Sequence, residues 1–159
     1  KEKYIVDDQL DGSITIYQEV MTQLENNIQK YYTQGYNCSE TLLRACNETY
    51  QLEINEEDLR CMAGFGGGMF IGSTCGALVG CIAALSKMVC PTKAHDMIPT
   101  LRPLIVQLNQ NFKAQLGALD CAHVKPVYHD KEKGCLITCL RAGKAFEKTL
   151  IDAKIGSEN

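Results

Sequence analysis

Nine of the 159 residues are cysteine, and four of them, Cys38, Cys75, Cys121 and Cys135, fall where the sequence predicts the first turn of a helix. A helix N-terminus presents unsatisfied N–H groups and a partial positive charge of about half a unit, which favours thiolate over thiol. Thiolates are both nucleophiles and metal ligands, so cysteines at such places suit redox or metal chemistry. Four is also the number that holds zinc or an iron–sulfur cluster, and a helical bundle can bring facing N-termini together. No C-x-x-C pair occurs, so local spacing announces neither a zinc ribbon nor a thioredoxin-type dithiol.

The other cysteines read differently. Cys46, Cys61, Cys81 and Cys90 lie in apolar helical patterns away from helix starts and are expected in the core, where free cysteine acts as a small hydrophobe. Cys139 follows Cys135 by one helical turn, which allows a core thiol, a fifth ligand or a resolving thiol. His95, His123 and His129 read as solvated side chains, although His123 stands two residues from Cys121. Tyr31, Tyr32 and Tyr36, near Cys38, are placed to line a pocket but read first as amphipathic packing. Among the thiols, Cys75 is the expected attacking group, because flanking glycines give it access.

Beside Cys75 runs Gly64-Phe65-Gly66-Gly67-Gly68-Met69, a stretch suited to positive φ and close backbone approach. It does not continue as a dinucleotide fingerprint or a phosphate-binding loop: Met69 stands where glycine is required, and no Lys-Ser/Thr pair follows. Gly66, Gly67, Gly68 and Gly76 are instead expected to let backbone pass close to the Cys75 helix or to a cofactor.

The elements that must position these groups read as helices throughout. Tyr17, Val20, Met21, Leu24, Ile28 and Tyr31 recur at helical spacing, giving a first amphipathic helix over about 13–34. Asn37 and Glu40 form a capping box that starts a second, to about Tyr50. A short third begins at Asn55, with Glu56, Glu57 and Asp58 in its first turn, and ends near Ala63. Ser73 or Thr74 is expected to cap a fourth over Cys75–Leu85, apolar all round and therefore central. Pro99 and Pro103 open a fifth that Gly117 closes. Asp120 caps a turn or two after Cys121, and the last helix carries Cys135, Cys139, Ala142, Phe146 and Leu150 on one stripe. No period-two alternation persists, so the fold is read as an all-α, single-domain bundle of five or six helices.

With 45% apolar and 22% charged residues, the composition is that of a globular protein. A net charge of −3 without a basic face excludes the footprint of a nucleic-acid binder. Residues 69–86 carry no charge, and Gly76-x-x-x-Gly80 is a membrane-dimer pattern. The Gly, Ser and Thr content there favours a buried central helix over a membrane span. The Lys1-Glu2-Lys3 opening reads as no secretory signal, and a cytoplasmic location is expected.

Taken together, Asn37-Cys38-Ser39-Glu40, the glycine run, Gly72-x-x-Cys75-Gly76-Ala77-x-x-Gly80, Cys121 and Cys135 resemble the C_GCAxxG_C_C family of redox-active proteins over about residues 25–152. The resemblance implies that Cys38, Cys75, Cys121 and Cys135 are that family's four characteristic cysteines, and that the chain is a redox protein of unassigned substrate. Related domains in haem-bearing, iron–sulfur cytochromes give a precedent for a cluster. No C-x-x-C-H site is present, so covalent haem is not expected. The expected chemistry is electron transfer through an iron–sulfur cluster or metal-free thiol–disulfide exchange, with an unidentified redox partner and homo-oligomerisation left open. The alternatives are a structural zinc protein or an interaction bundle with cysteines as filler.

Overall fold

A computed structural model describes residues 21–155. Seven α-helices make up the described chain: α1 (Gln23–Thr33), α2 (Cys38–Tyr50), α3 (Glu56–Leu59), α4 (Gly76–Val89), α5 (Ile98–Leu116), α6 (Cys121–Tyr128) and α7 (Leu136–Asp152). Five are long and two short, so the all-α expectation holds. Among the described residues the only extended pairings are two isolated bridges, Thr74 with Asp120 and Asp130 with Gly134. Tyr17 and Val20 of the expected first stripe lie outside the described residues.

Local signals explain most boundaries. Thr22 caps α1 by accepting the Glu25 N–H, and Asn37 and Glu40 close a reciprocal capping box on α2. Asn55 caps α3, which tightens into a 3₁₀ stretch over Arg60–Phe65 where one α-helix to Ala63 was expected. That tighter turn points Met62 inward and leaves Cys61 exposed, correcting the expectation of a core thiol. Gly117, at φ 82°, ends α5.

The helices share one buried cluster. It includes Leu24 and Ile28 of α1, Leu42 and Cys46 of α2, Leu78, Cys81 and Leu85 of α4, Phe112 of α5 and Phe146 of α7. α2 packs most extensively on α4, and α5 on α7. The α2–α4 contact runs backbone against backbone: a Cβ added at Gly80 would lie 2.6 Å from the Ser39 carbonyl oxygen. α4 is thus the central helix that its apolar sequence predicts. Among the described residues no single helix is long and apolar enough to cross a membrane.

Several polar groups that the bundle buries are paired between helices. Asn27 of α1 donates to Thr49 of α2, and Asn111 of α5 to Thr149 of α7. The buried Arg44 guanidinium meets Glu56 through two bonds of 2.6 and 2.7 Å and covers the Tyr36 ring. This pair ties α2 to α3 just below the start of the glycine-rich segment.

Candidate functional site: a pocket of four cysteines

Cys38, Cys75, Cys121 and Cys135 line one cavity of about 240 Å³. Cys38 is the first residue of α2 and Cys121 the first of α6, as their caps predict. Cys75 and Cys135 stand one residue earlier than expected, as N-cap residues of α4 and α7 whose side chains cap nothing. Neither Ser73 nor Thr74 caps α4, because Thr74 is held in its bridge to Asp120. The Cys75 N–H donates to the Leu119 carbonyl at 2.8 Å, and the Cys121 N–H donates to the Ser73 carbonyl at 2.7 Å. These crossed bonds set Cys75 and Cys121 side by side at the start of their helices.

The glycine-rich segment is moulded onto the sulfurs. Gly67 and Gly68 adopt φ near +60°, and so do Met69 and Phe70, where side chains make the left-handed region costly. The resulting π-type turn over Gly68–Gly72 places Gly67 N–H against the Cys38 sulfur. A Cβ at Gly76 would lie 2.6 Å from Cys38 Sγ, and one at Gly68 would lie 2.9 Å from Cys121 Cβ. Gly66 packs equally closely on the Asn37 side chain. The Ser39 hydroxyl adds a bond of 2.8 Å to the Met62 carbonyl, fastening the start of α2 to the segment before the glycines. Gly66, Gly68 and Gly76 therefore leave no room for a side chain, whereas Gly67 has open space around it and is constrained by its φ of +61°.

Electrostatics divides the thiols into one acid and several neutral groups. The Cys75 thiol donates to the Cys38 sulfur, and that bond outweighs burial. With backbone N–H donors from Gly67 and Ser39 added, the Cys38 pKa falls from an ordinary 9.0 to about 6. The same bond, reinforced by burial and by the neighbouring charge, pushes Cys75 far up. The N–H groups of Gly67 and Ser39 beside Cys38 favour the thiolate there. The shift thus favours a thiolate on Cys38, where the sequence pointed to Cys75 as the attacking group; both residues are buried. Burial first, and the Cys38 charge second, also raise Cys121 and Cys135.

Most of the remaining sequence candidates fall outside the pocket wall; Tyr32 and His129 do not. Cys46, Cys81 and Cys139 are fully buried, and burial pushes all three thiols up. Cys139 is thus a core residue. Cys90 is half-buried, and His123 is exposed and paired with Asp120. Two wall residues carried no chemical signal in the sequence. Tyr32 lines the cavity, and its hydroxyl oxygen accepts the Cys135 N–H at 2.7 Å, so it positions that cysteine rather than merely packing. Thr138, also on the wall, is buried with a hydroxyl that has no partner. Lys125 and His129 complete the outer rim.

Four cysteines match the donor set of a metal centre in kind and number. Their grouping does not, since among the described residues no three of His, Cys, Asp or Glu are arranged to hold a metal ion.

Fold and site together define an all-α protein built around a pocket of thiols. Residues 36–149 match the family described as "Putative redox-active protein (C_GCAxxG_C_C)", and the chain belongs to that family. No match is found among curated proteins or solved structures.

Proposed function

We propose that this protein performs thiol–disulfide redox chemistry, with Cys38 as nucleophile and Cys75 as the thiol that resolves its product. The observation that carries this reading is the single cavity lined by Cys38, Cys75, Cys121 and Cys135, in which the Cys75 thiol and backbone N–H groups lower the Cys38 pKa toward a thiolate at neutral pH. On oxidation the thiolate–thiol pair gives two electrons and the Cys75 proton to a small disulfide, a second proton comes from solvent, the disulfide becomes two thiols, and a Cys38–Cys75 bond forms. Cys121 and Cys135 stand ready to exchange with that bond.

The test is to treat the reduced protein with one equivalent of a small disulfide and map the new linkages by peptide mass spectrometry. A Cys38–Cys75 linkage is expected; a Cys38 that stays reduced would overturn the assignment. A second reading, an iron–sulfur cluster held by Cys38, Cys75, Cys121 and Cys135, draws support from their shared cavity. The ligand grouping favours the metal-free site over this reading and over a structural zinc. Iron and zinc contents, with the visible spectrum of protein purified without oxygen, decide among the three.

A further inference from the structure

The four-cysteine cavity opens into a second space. Gly67, Cys121, Lys125 and His129 line both the cavity and an adjoining basin of about 580 Å³ that runs outward to Lys131. Among the described residues no carboxylate lines either one. Lys125 and Lys131 form no ion pair among the described residues. The nearby acids are occupied: Asp120 pairs with His123, and Asp130 accepts the backbone N–H groups of Glu132 and Lys133. At the inner end, the unpartnered Thr138 hydroxyl is a buried polar group on the cavity wall.

We infer that this recess binds a low-molecular-weight disulfide bearing negative charge, its anionic end against Lys125 and Lys131 and its sulfur pair beside Cys38. The inference rests on the thiol reading above and adds the substrate class. An inner space of about 240 Å³ lies below the usual 300–1,000 Å³ of small-molecule pockets, so the reacting part must be compact.

The step balances within the named groups. The Cys38 thiolate attacks the nearer substrate sulfur, forming a mixed disulfide while the far half leaves as a thiolate and takes the Cys75 proton. Cys75 sulfur then attacks Cys38 Sγ, forming the Cys38–Cys75 bond and releasing the near half as the second thiolate, which is protonated by solvent. Two electrons pass from the protein dithiol to the substrate.

Three small disulfides of similar size test this: dithiodiglycolate with two carboxylates, hydroxyethyl disulfide with no charge, and cystamine with two ammonium groups. Each is reacted with the reduced full chain and, as reference, with free mercaptoethanol. Free thiolate, itself an anion, reacts slowest with the dianion. The recess is expected to invert that order, with dithiodiglycolate preferred over hydroxyethyl disulfide by about tenfold relative to the reference, and with the preference fading as salt is added. The double substitution Lys125→Gln with Lys131→Gln is expected to lower that ratio about tenfold. A protein that follows the reference order, or a double variant that keeps the ratio, would overturn the anionic subsite while leaving Cys38 chemistry intact. A Cys38→Ser variant that reacts with all three as fast as the unaltered chain would instead overturn the thiol reading itself.

Discussion

Replacing the donor thiol, Cys75→Ala, should raise the pKa of Cys38, and the size of the rise can be worked out. The substitution deletes the largest cause of the depression and leaves the Gly67 and Ser39 N–H groups in place. A hydrogen bond to a charged group contributes about 1.5–3 kcal/mol, and one pKa unit is about 1.36 kcal/mol, so the value moves from about 6 to roughly 7–8. A rate at one pH reads this badly. At pH 7 the thiolate fraction drops from about nine-tenths to roughly a quarter, but nucleophilicity grows with basicity by roughly fivefold, and the two nearly cancel. The midpoint of the pH profile is the quantity to measure, from iodoacetamide alkylation of the Cys38 peptide between about pH 5 and 10 without oxygen. Cys75→Ser keeps a hydroxyl donor and should shift the midpoint less than alanine does. A midpoint near 9.0 in the unaltered protein, or one that Cys75→Ala leaves in place, would refute the reasoning.

Stability should follow the same thiolate. A group whose folded pKa is depressed from 9.0 to about 6 adds its full stabilisation above pH 9 and loses it as the pH falls through 6. Urea midpoints should therefore rise between pH 6 and 8, by up to about 2 kcal/mol, and Cys38→Ser should flatten that rise. Gly76→Ala places a methyl 2.6 Å from Cys38 Sγ and 2.8 Å from the Phe65 carbonyl oxygen, so about 1–3 kcal/mol of stability should be lost by chemical denaturation. The low alkylation midpoint of Cys38 should vanish with it. Tyr32→Phe removes the acceptor of the Cys135 N–H and should cost about 1–3 kcal/mol; hydrogen exchange at Cys135 should speed up, while the Cys38 midpoint stays near 6.

What the sequence disclosed was whatever neighbouring residues decide. The Asn37 and Glu40 box, the Asp120 cap and the Gly117 stop each act over three or four residues, and α2, α6 and α5 begin or end where those signals stand. Cys75 escaped this logic because its backbone answers to Leu119, far along the chain, and not to Ser73 or Thr74. The roles of the sulfurs escaped it too. The Cys38 pKa is lowered first by the Cys75 thiol and then by backbone N–H groups, and the Gly67 donor arrives only once a run of positive φ values has folded that segment over Cys38. Tyr32 looked like one of several tyrosines on an amphipathic stripe, and its bond to Cys135 spans 103 positions.

The crossed backbone bonds around Thr74 and Asp120 have a mechanical consequence. Two rungs of main chain splice the entry of α4 to the entry of α6, so a displacement of the backbone at residue 75 is passed to residue 121 without a side chain as intermediary. Under the thiol reading, any main-chain adjustment that closes a bond at the floor of the pocket would reach its outer wall by this route.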